Sequence, residues 1–214
     1  DEDRAQFDVT TQTTVPPDQP GEATLLFKQD GVVCGIEVVR EVFCQMSDDI
    51  EMDILAAEGA WVRKGTVVAE LRGPLAPMLS GERVALNLLQ RMSGTATMAQ
   101  RYVREAARGG AGRVVDTRKT TPGLRALERY AVRCGGAFNH RNTLEDGVLI
   151  KDNHIEAATR RGVDPAQLIA EVRGRVQHLL RIEVEADTPH LARAAAHGGA
   201  DVVLLDNMPP DMMR

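Results

Sequence analysis

From residue 112 onward the chain alternates short apolar runs with helical segments, and that alternation restricts its fold more than any other feature. The order is RVVDT, LRALERYAVRC, GVLIK, PAQLIAEVRGRV, LLRIEVEA, PHLARAAAHG and DVVLLD. Strand–helix repetition of this kind implies a parallel sheet with right-handed crossovers. The strands are apolar along their length and charged where they end. Asp116, Thr117, Arg118 and Lys119 follow the first, Lys151 and Asp152 the second, and Asp206 and Asn207 the last. Parallel α/β sheets and barrels place their ligand site at that end. These tips, with the loop cluster Asn139, His140 and Arg141, are therefore read as one site. Four such strands precede residue 214, about half of what a closed eight-stranded barrel needs. An uncovered last strand is a pairing liability, so the expectation is an incomplete barrel that belongs to something longer.

The first 76 residues read as a separate α+β unit. Residues 1–20 are polar and carry no hydrophobic period, which predicts an irregular lead-in. EATLLFK (22–28) and VVCG read as extended, and IEVVREVFCQM as a helix with Ile36, Val39, Phe43 and Met46 on one face. IEMDILA (50–56) alternates like a half-buried strand, with TVVAELRG (66–73) as its neighbour and the intervening AEGAWVRKG as a turn. Gly73, Pro74 and Pro77 mark a boundary, so the domains are 1–76, connecting helices over 77–110, and the partial barrel over 111–214. Within 77–110, Ser80 is placed to cap a helix and Ser93-Gly94 to break it. Thr121 and Pro122 suit the N-cap and first turn of the next helix, and Gly135-Gly136 its end.

Composition narrows the function. The 214 residues carry a net charge of −5 and only 3% aromatics, which argues against generalised nucleic-acid binding. No apolar run approaches the ~18 residues a membrane span needs, and DEDRAQFDV is no signal peptide. Cys34, Cys44 and Cys134 are odd in number and widely spaced, fitting neither a disulfide framework nor a zinc pattern. They read as small buried hydrophobes in a reducing compartment, hence a cytoplasmic protein.

Against a net acidic chain, the basic groups at the strand ends stand out. Arg118, Lys119, Arg141 and Lys151, with His140, combine the planar fork of arginine with the point charge of lysine, which suits a ligand with several negative groups. Each taken alone is also compatible with a solvated surface cation. Glu183 and Glu185 project to one face of their strand, Ile182 and Val184 to the other. With Asp206 they suit Mg²⁺, which reaches proteins through one or two carboxylates plus substrate phosphates; balancing the nearby cations is the plainer role. No HExxH, CxxC, Walker A, GxGxxG or GxSxG pattern occurs. The residues alone thus imply an α/β enzyme acting on a polyanion, without naming the reaction.

The wording of the chain goes further. SGERVALNLLQRMSGTAT (80–97), DTRKTTPGLRALERYAVRCGG (116–136), NHR (139–141), LIKDNHI (149–155), EVEAD (183–187) and LLDN (204–207) resemble quinolinate phosphoribosyltransferases, in the same order. The resemblance implies an N-terminal α/β sandwich followed by an incomplete α/β barrel. It implies that quinolinate and 5-phosphoribosyl pyrophosphate yield nicotinate mononucleotide, pyrophosphate and CO₂ with Mg²⁺, in de novo NAD biosynthesis. Carried onto matching positions, Arg118, His140 and Arg141 would hold the quinolinate carboxylates, with Thr117 in the same binding loop. Lys119 and Lys151 would lie between the diacid and the donor. Glu185 and Asp206 would face the ribose and its Mg²⁺–pyrophosphate side, with no direct protein metal ligand assigned. Arg83 would reach into a partner subunit's site, implying a homodimer, with a hexamer also compatible.

Some features depart from the family. RAQFDVTT keeps Asp8 but lacks the family's preceding glycine, and the S-G-G-I and G-x-L-T phosphate loops are expected beyond Arg214. A catalytically impaired fragment therefore stays open as an alternative, as does a pyrophosphorylase homologue associated with molybdenum transport. Lys151, Asp152, Asn153 and His154 speak against the second.

Overall fold

The computed structural model describes residues 2–213, which divide into two compact units meeting at His140 and Arg141. The first unit opens with a 3₁₀ turn (Ala5–Phe7) and a short helix α1 (Val9–Thr14). The expectation of an irregular start is corrected here. VTTQTT has no apolar row, but the Asp8 carboxylate accepts from Thr11 N at 3.0 Å and from Thr11 Oγ1 at 2.6 Å, and that cap starts the helix. Next come β1 (Pro20–Leu26), β2 (Gly31–Val32), α2 (Ile36–Met46), β3 (Glu51–Ile54), β4 (Trp61–Val62) and β5 (Val67–Pro74). β5 is central in an antiparallel sheet ordered β1-β5-β3, and its pairing with β3 is the one expected. The segment read as a turn also holds β4, which pairs with β2; two residues are too short to show alternation. α2 buries Ile36, Val39 and Phe43 against Val68 and Leu71 of β5.

A single 35-residue helix, α3 (Leu75–Gly109), follows. It begins right after Pro74, with Pro77 in the first turn where no intrahelical N–H bond is lost. Ser80 does not cap it; its hydroxyl donates to Asp8 Oδ2 at 2.9 Å. Nor does the helix break at Ser93-Gly94. Ser93 is buried, and its hydroxyl accepts from Cys34 N and donates to Cys34 O, both at 3.1 Å, which ties the middle of α3 to the segment after β2. Met78, Ala85 and Leu89 complete the first core, while Met92 and Ala96 join Val32, Cys34 and Ala131 in a second.

α4 (Arg125–Cys134) starts later than the sequence suggests, since residues 121–124 form a turn and Leu124 takes the N-cap position without a side-chain bond. Gly135 and Gly136 do end it. A Cβ on Gly135 would sit 2.3 Å from Ala96 O, so the α4 terminus lies directly on the α3 backbone. RVVDT is not a full strand. It contributes one parallel bridge, Val115 to Phe138, with Phe138 N donating to Val114 O at 2.8 Å and Asp116 N to Phe138 O at 3.0 Å.

The second unit contains β6 (Val148–Ile150), α5 (Asp152–Thr159), α6 (Pro165–Arg173), β7 (Ile182–Ala186), α7 (Pro189–His197), β8 (Val202–Leu205) and α8 (Pro210–Met213). β6-β7-β8 form an open, fully parallel three-stranded sheet, with no closed barrel among the described residues. α5 is a helix the apolar pattern did not reveal. α6 and α7 start on side-chain caps, Asp164 and Thr188 accepting from the first-turn N–H groups with proline at the first helical position. Ile182, Val184 and Ala186 are buried while Glu183 and Glu185 are only half-buried, so the residues alternate across β7 as read. Ile150, Ile182 and Val184 pack with Ala158, Leu168, Ile169 and Ala195 of the three helices, while Glu183 and Glu185 lie on the other face of the sheet beside Leu149, Val202 and Leu204.

Candidate active site

In the first unit the expected site residues other than Arg83 sit on two segments, 116–121 and 138–140, which a buried ion pair holds together. Asp116 and Arg129 are bonded at 3.1 Å, their side chains 7% and 8% exposed. Burial of that order demands that the remaining lone pairs be filled as well. Asp116 Oδ1 also accepts from His140 N at 2.8 Å, and Oδ2 from Asn139 Nδ2 at 2.6 Å. Arg129 donates to His140 O at 2.6 Å, and Asn139 Nδ2 to Arg129 O at 3.0 Å. His140 is thus pinned through both of its backbone polar groups, which fixes where its ring starts. Arg129 was not foreseen. In a helix of mixed charge it reads as a solvent-facing arginine, and only the acid on a distant segment shows otherwise.

The loop 117–121 is braced from within. Thr117 Oγ1 accepts from Lys119 N at 3.1 Å, Thr120 N donates to Arg118 O at 3.0 Å, and Arg125 donates to Thr120 Oγ1 at 3.1 Å. Thr121 N donates to Glu128 at 3.1 Å, and Arg91 of α3 binds both Glu128 and Thr121. Burial opposes ionisation of Glu128, yet the bonds from Arg91 and Thr121 prevail and hold its carboxyl below the ordinary carboxylate value. Lys119 is exposed. Arg118 is half-buried, and its Nε is fully buried without a hydrogen-bond partner. A charged donor left in that condition is unusual unless a ligand completes it. Arg83 lies on an exposed face of α3.

The second unit holds the other expected residues. Arg141 donates to Gly147 O at 2.9 Å, which ties down the loop before β6. Lys151 follows β6 and bonds Glu185 at 2.6 Å. The register explains that pairing: Ile150 lies opposite Val184 and Glu185 opposite Leu204. Lys151, Glu183, Glu185 and Asp206 therefore share the face of the sheet that the helical core does not use. Asp206 is fixed by its N–H to Ala186 O at 2.9 Å, and the next residue, Asn207, takes a left-handed φ of 52° that asparagine tolerates. The KDNH wording has a local reason. Lys151 N donates to His154 Nδ1 at 3.0 Å, and His154 N donates to Lys151 O at 2.9 Å, closing the first turn of α5. These oxygen donors suit a hard cation carried by a phosphate ligand. Among the described residues the acids of β7 and β8 do not gather into a self-sufficient metal cluster.

Sequence models of the quinolinate phosphoribosyl transferase N-terminal and C-terminal domains match residues 8–93 and 95–214. The chain belongs to the quinolinate phosphoribosyl transferase family. It is 43% identical over 213 residues to a Bacillus subtilis protein named "probable nicotinate-nucleotide pyrophosphorylase [carboxylating]", covering 100% of this chain and 72% of that one. It is 42% identical over 194 residues to the human nicotinate-nucleotide pyrophosphorylase (carboxylating), covering 90% and 63%. The fold agrees with the crystal structure of NadC from Streptococcus pyogenes, with a TM-score of 0.90 at 36% identity over 99% of this chain and 74% of that one. These relatives favour the family over the molybdenum-associated reading. The chain thus spans between 63% and 74% of the length of these family members.

Proposed function

We propose that the chain carries the site for phosphoribosyl transfer to quinolinate with decarboxylation, giving nicotinate mononucleotide, pyrophosphate and CO₂ for NAD biosynthesis. The observation that carries this reading is Arg118, whose buried Nε lacks a partner in a loop braced on both sides. An anionic ligand would supply the missing acceptor. In this reading Arg118, His140 and Arg141 hold the two carboxylates of quinolinate, Thr117 shapes the loop, and Lys119 and Lys151 separate the diacid from the phosphorylated donor. Two such anions repel each other, and fixed cations lower the cost of bringing the ring nitrogen to the anomeric carbon.

As pyrophosphate leaves, positive character develops on the sugar, and Glu185, held by Lys151, offers negative charge to it. Asp206 faces the same side. The ring nitrogen bonds the anomeric carbon, pyrophosphate departs with the bonding pair, and the carboxylate at ring position 2 is lost as CO₂, leaving its electron pair on the ring carbon for a proton. No protein nucleophile takes part. Glu185 and Asp206 are the residues suited to Mg²⁺ arriving with the donor, where it would neutralise charge on the departing pyrophosphate. Arg83 is assigned to a partner subunit's site, so the working form is a homodimer or a multiple of it. The three free cysteines suit the cytoplasm.

Isothermal titration with quinolinate tests the reading directly. Binding to this chain is expected, weakened by Arg118→Ala and by Arg141→Ala. An absence of heat here, together with no CO₂ release from quinolinate by a C-terminally extended chain, defeats it.

A further inference from the structure

The cysteines, read from sequence as isolated small hydrophobes, are brought together by the fold. Cys34 follows β2 and is fully buried, and Cys134 ends α4 and is half-buried. Glu58 lies on the β3–β4 connection, and the two sulfurs and a carboxylate oxygen of Glu58 all lie within 4.8 Å of one another. These three residues come from segments 24 and 76 positions apart, so no local spacing rule brings them together. Tyr130, one turn before Cys134 on α4, lies beside that thiol, and burial, then Cys134, raise its hydroxyl. Cys44, by contrast, is exposed and lies outside the cluster.

We propose that Cys34, Cys134 and Glu58 form a binding site for a thiophilic divalent cation of the zinc class, apart from the substrate residues. Two thiolates bound tetrahedrally at about 2.3 Å lie about 3.8 Å apart, so the trio closes on an ion with movements of about 1 Å or less. Two sulfurs and one oxygen favour a borderline metal over Mg²⁺ or Ca²⁺. Glu58 is already anchored. Its Oε1 accepts from Gly35 N at 2.8 Å and Ile36 N at 2.9 Å, and its Oε2 accepts from Gly35 N at 3.1 Å. One lone pair on Oε2 remains, on a carboxylate whose position the α2 N-terminus fixes. Burial, and then Cys134, raise the Cys34 thiol. Binding of M²⁺ by two thiols releases two protons to solvent and needs no oxidant. The half-buried Cys134 side provides the way in, and the Tyr130 hydroxyl or a water supplies the fourth ligand.

The test uses the full chain with Cys44→Ser, kept reduced, and titrates Co²⁺ as a spectroscopic probe. One equivalent of Co²⁺ is expected to produce a near-ultraviolet thiolate-to-cobalt charge-transfer band, which Zn²⁺ then abolishes by displacement. Cys134→Ala in that background, a mild change at a half-buried position, is expected to weaken binding by roughly 100-fold or remove the band. Glu58→Gln is expected to weaken it while far-ultraviolet circular dichroism stays unchanged. Three results overturn the proposal: no charge-transfer band, a band indifferent to Cys134→Ala, or both thiols lost to a disulfide in freshly reduced and desalted protein with no response to metal.

Discussion

Removing the Asp116 carboxylate is the sharpest test of how the site is built. The Asp116 and Arg129 side chains are 7% and 8% exposed, and Asp116 → Ala would leave a buried guanidinium facing a cavity. Breaking a buried pair by deleting one member costs about 3–5 kcal/mol. Two further bonds, from His140 N and Asn139 Nδ2, are lost at the same time, which places the expected loss at the upper end, about 4–5 kcal/mol. Arg129→Met leaves the acid with those two donors still bonded, so about 3 kcal/mol is expected. The double variant removes both charges and should fall well short of the sum, by about 1.5 kcal/mol or more. Trp61, the one tryptophan, lies in the first unit under the Arg104 guanidinium at 4.5 Å, so its fluorescence in urea follows that unit. The midpoint shift at constant slope gives the free energy. A loss under about 1 kcal/mol for Asp116→Ala, or additive single changes, would refute the claim that this pair organises the segment around His140.

Lys119→Ala and Lys151→Ala should each cut turnover of a C-terminally extended chain by roughly 100-fold. Both lie at or near the surface, so stability should change by about 1 kcal/mol or less; parallel rate and denaturation measurements separate the two effects. Gly135→Ala drives a methyl to 2.3 Å from Ala96 O and 2.7 Å from Ala99 Cβ, and neither contact can swing away. It should destabilise the first unit by about 3 kcal/mol, read from the same tryptophan signal. The Ile182 N–H and then Arg173 hold Asp201 below its ordinary value of 3.8. A lowered folded value means that the stability it contributes is present above 3.8 and is lost as pH falls through the folded value. The difference in stability between wild type and Asp201→Asn should therefore shrink on acidification, and a difference independent of pH speaks against it. If Arg83 serves a partner's site, mixing inactive Arg83→Ala with inactive Lys119→Ala subunits of the extended chain should restore part of the activity; two inactive proteins that stay inactive together argue against that role.

How much of this was legible in the sequence depended on whether a residue acts along the chain or across it. α2 appears because Ile36, Val39 and Phe43 repeat at helical spacing, and β7 because its glutamates alternate with buried Ile182 and Val184. The pairing of Lys151 with Glu185 follows from parallel register once both strands are placed. Local rules failed where a distant partner decided the outcome. Ser93 looks like a helix breaker until Cys34 supplies its bonds, and Ser80 looks like a cap until Asp8 claims its hydroxyl. Arg129 resembles any helical surface charge until the fold sets Asp116 beside it. RVVDT carries a strand's composition but makes only the bridge to Phe138, because composition states a preference and not a partner.

The unbroken run of α3 has a practical meaning for anyone dividing this protein. The N-terminal and C-terminal domains of the family meet between residues 93 and 95, a natural place to cut on paper. In the folded molecule that position is the middle of one rod, one residue from the serine that clasps Cys34 and between Met92 and Ala96, which bury the same apolar cluster. A fragment starting there would begin with a frayed half-helix whose greasy side has lost its cover. Swapping halves between relatives would succeed only if the whole rod travelled with one of them.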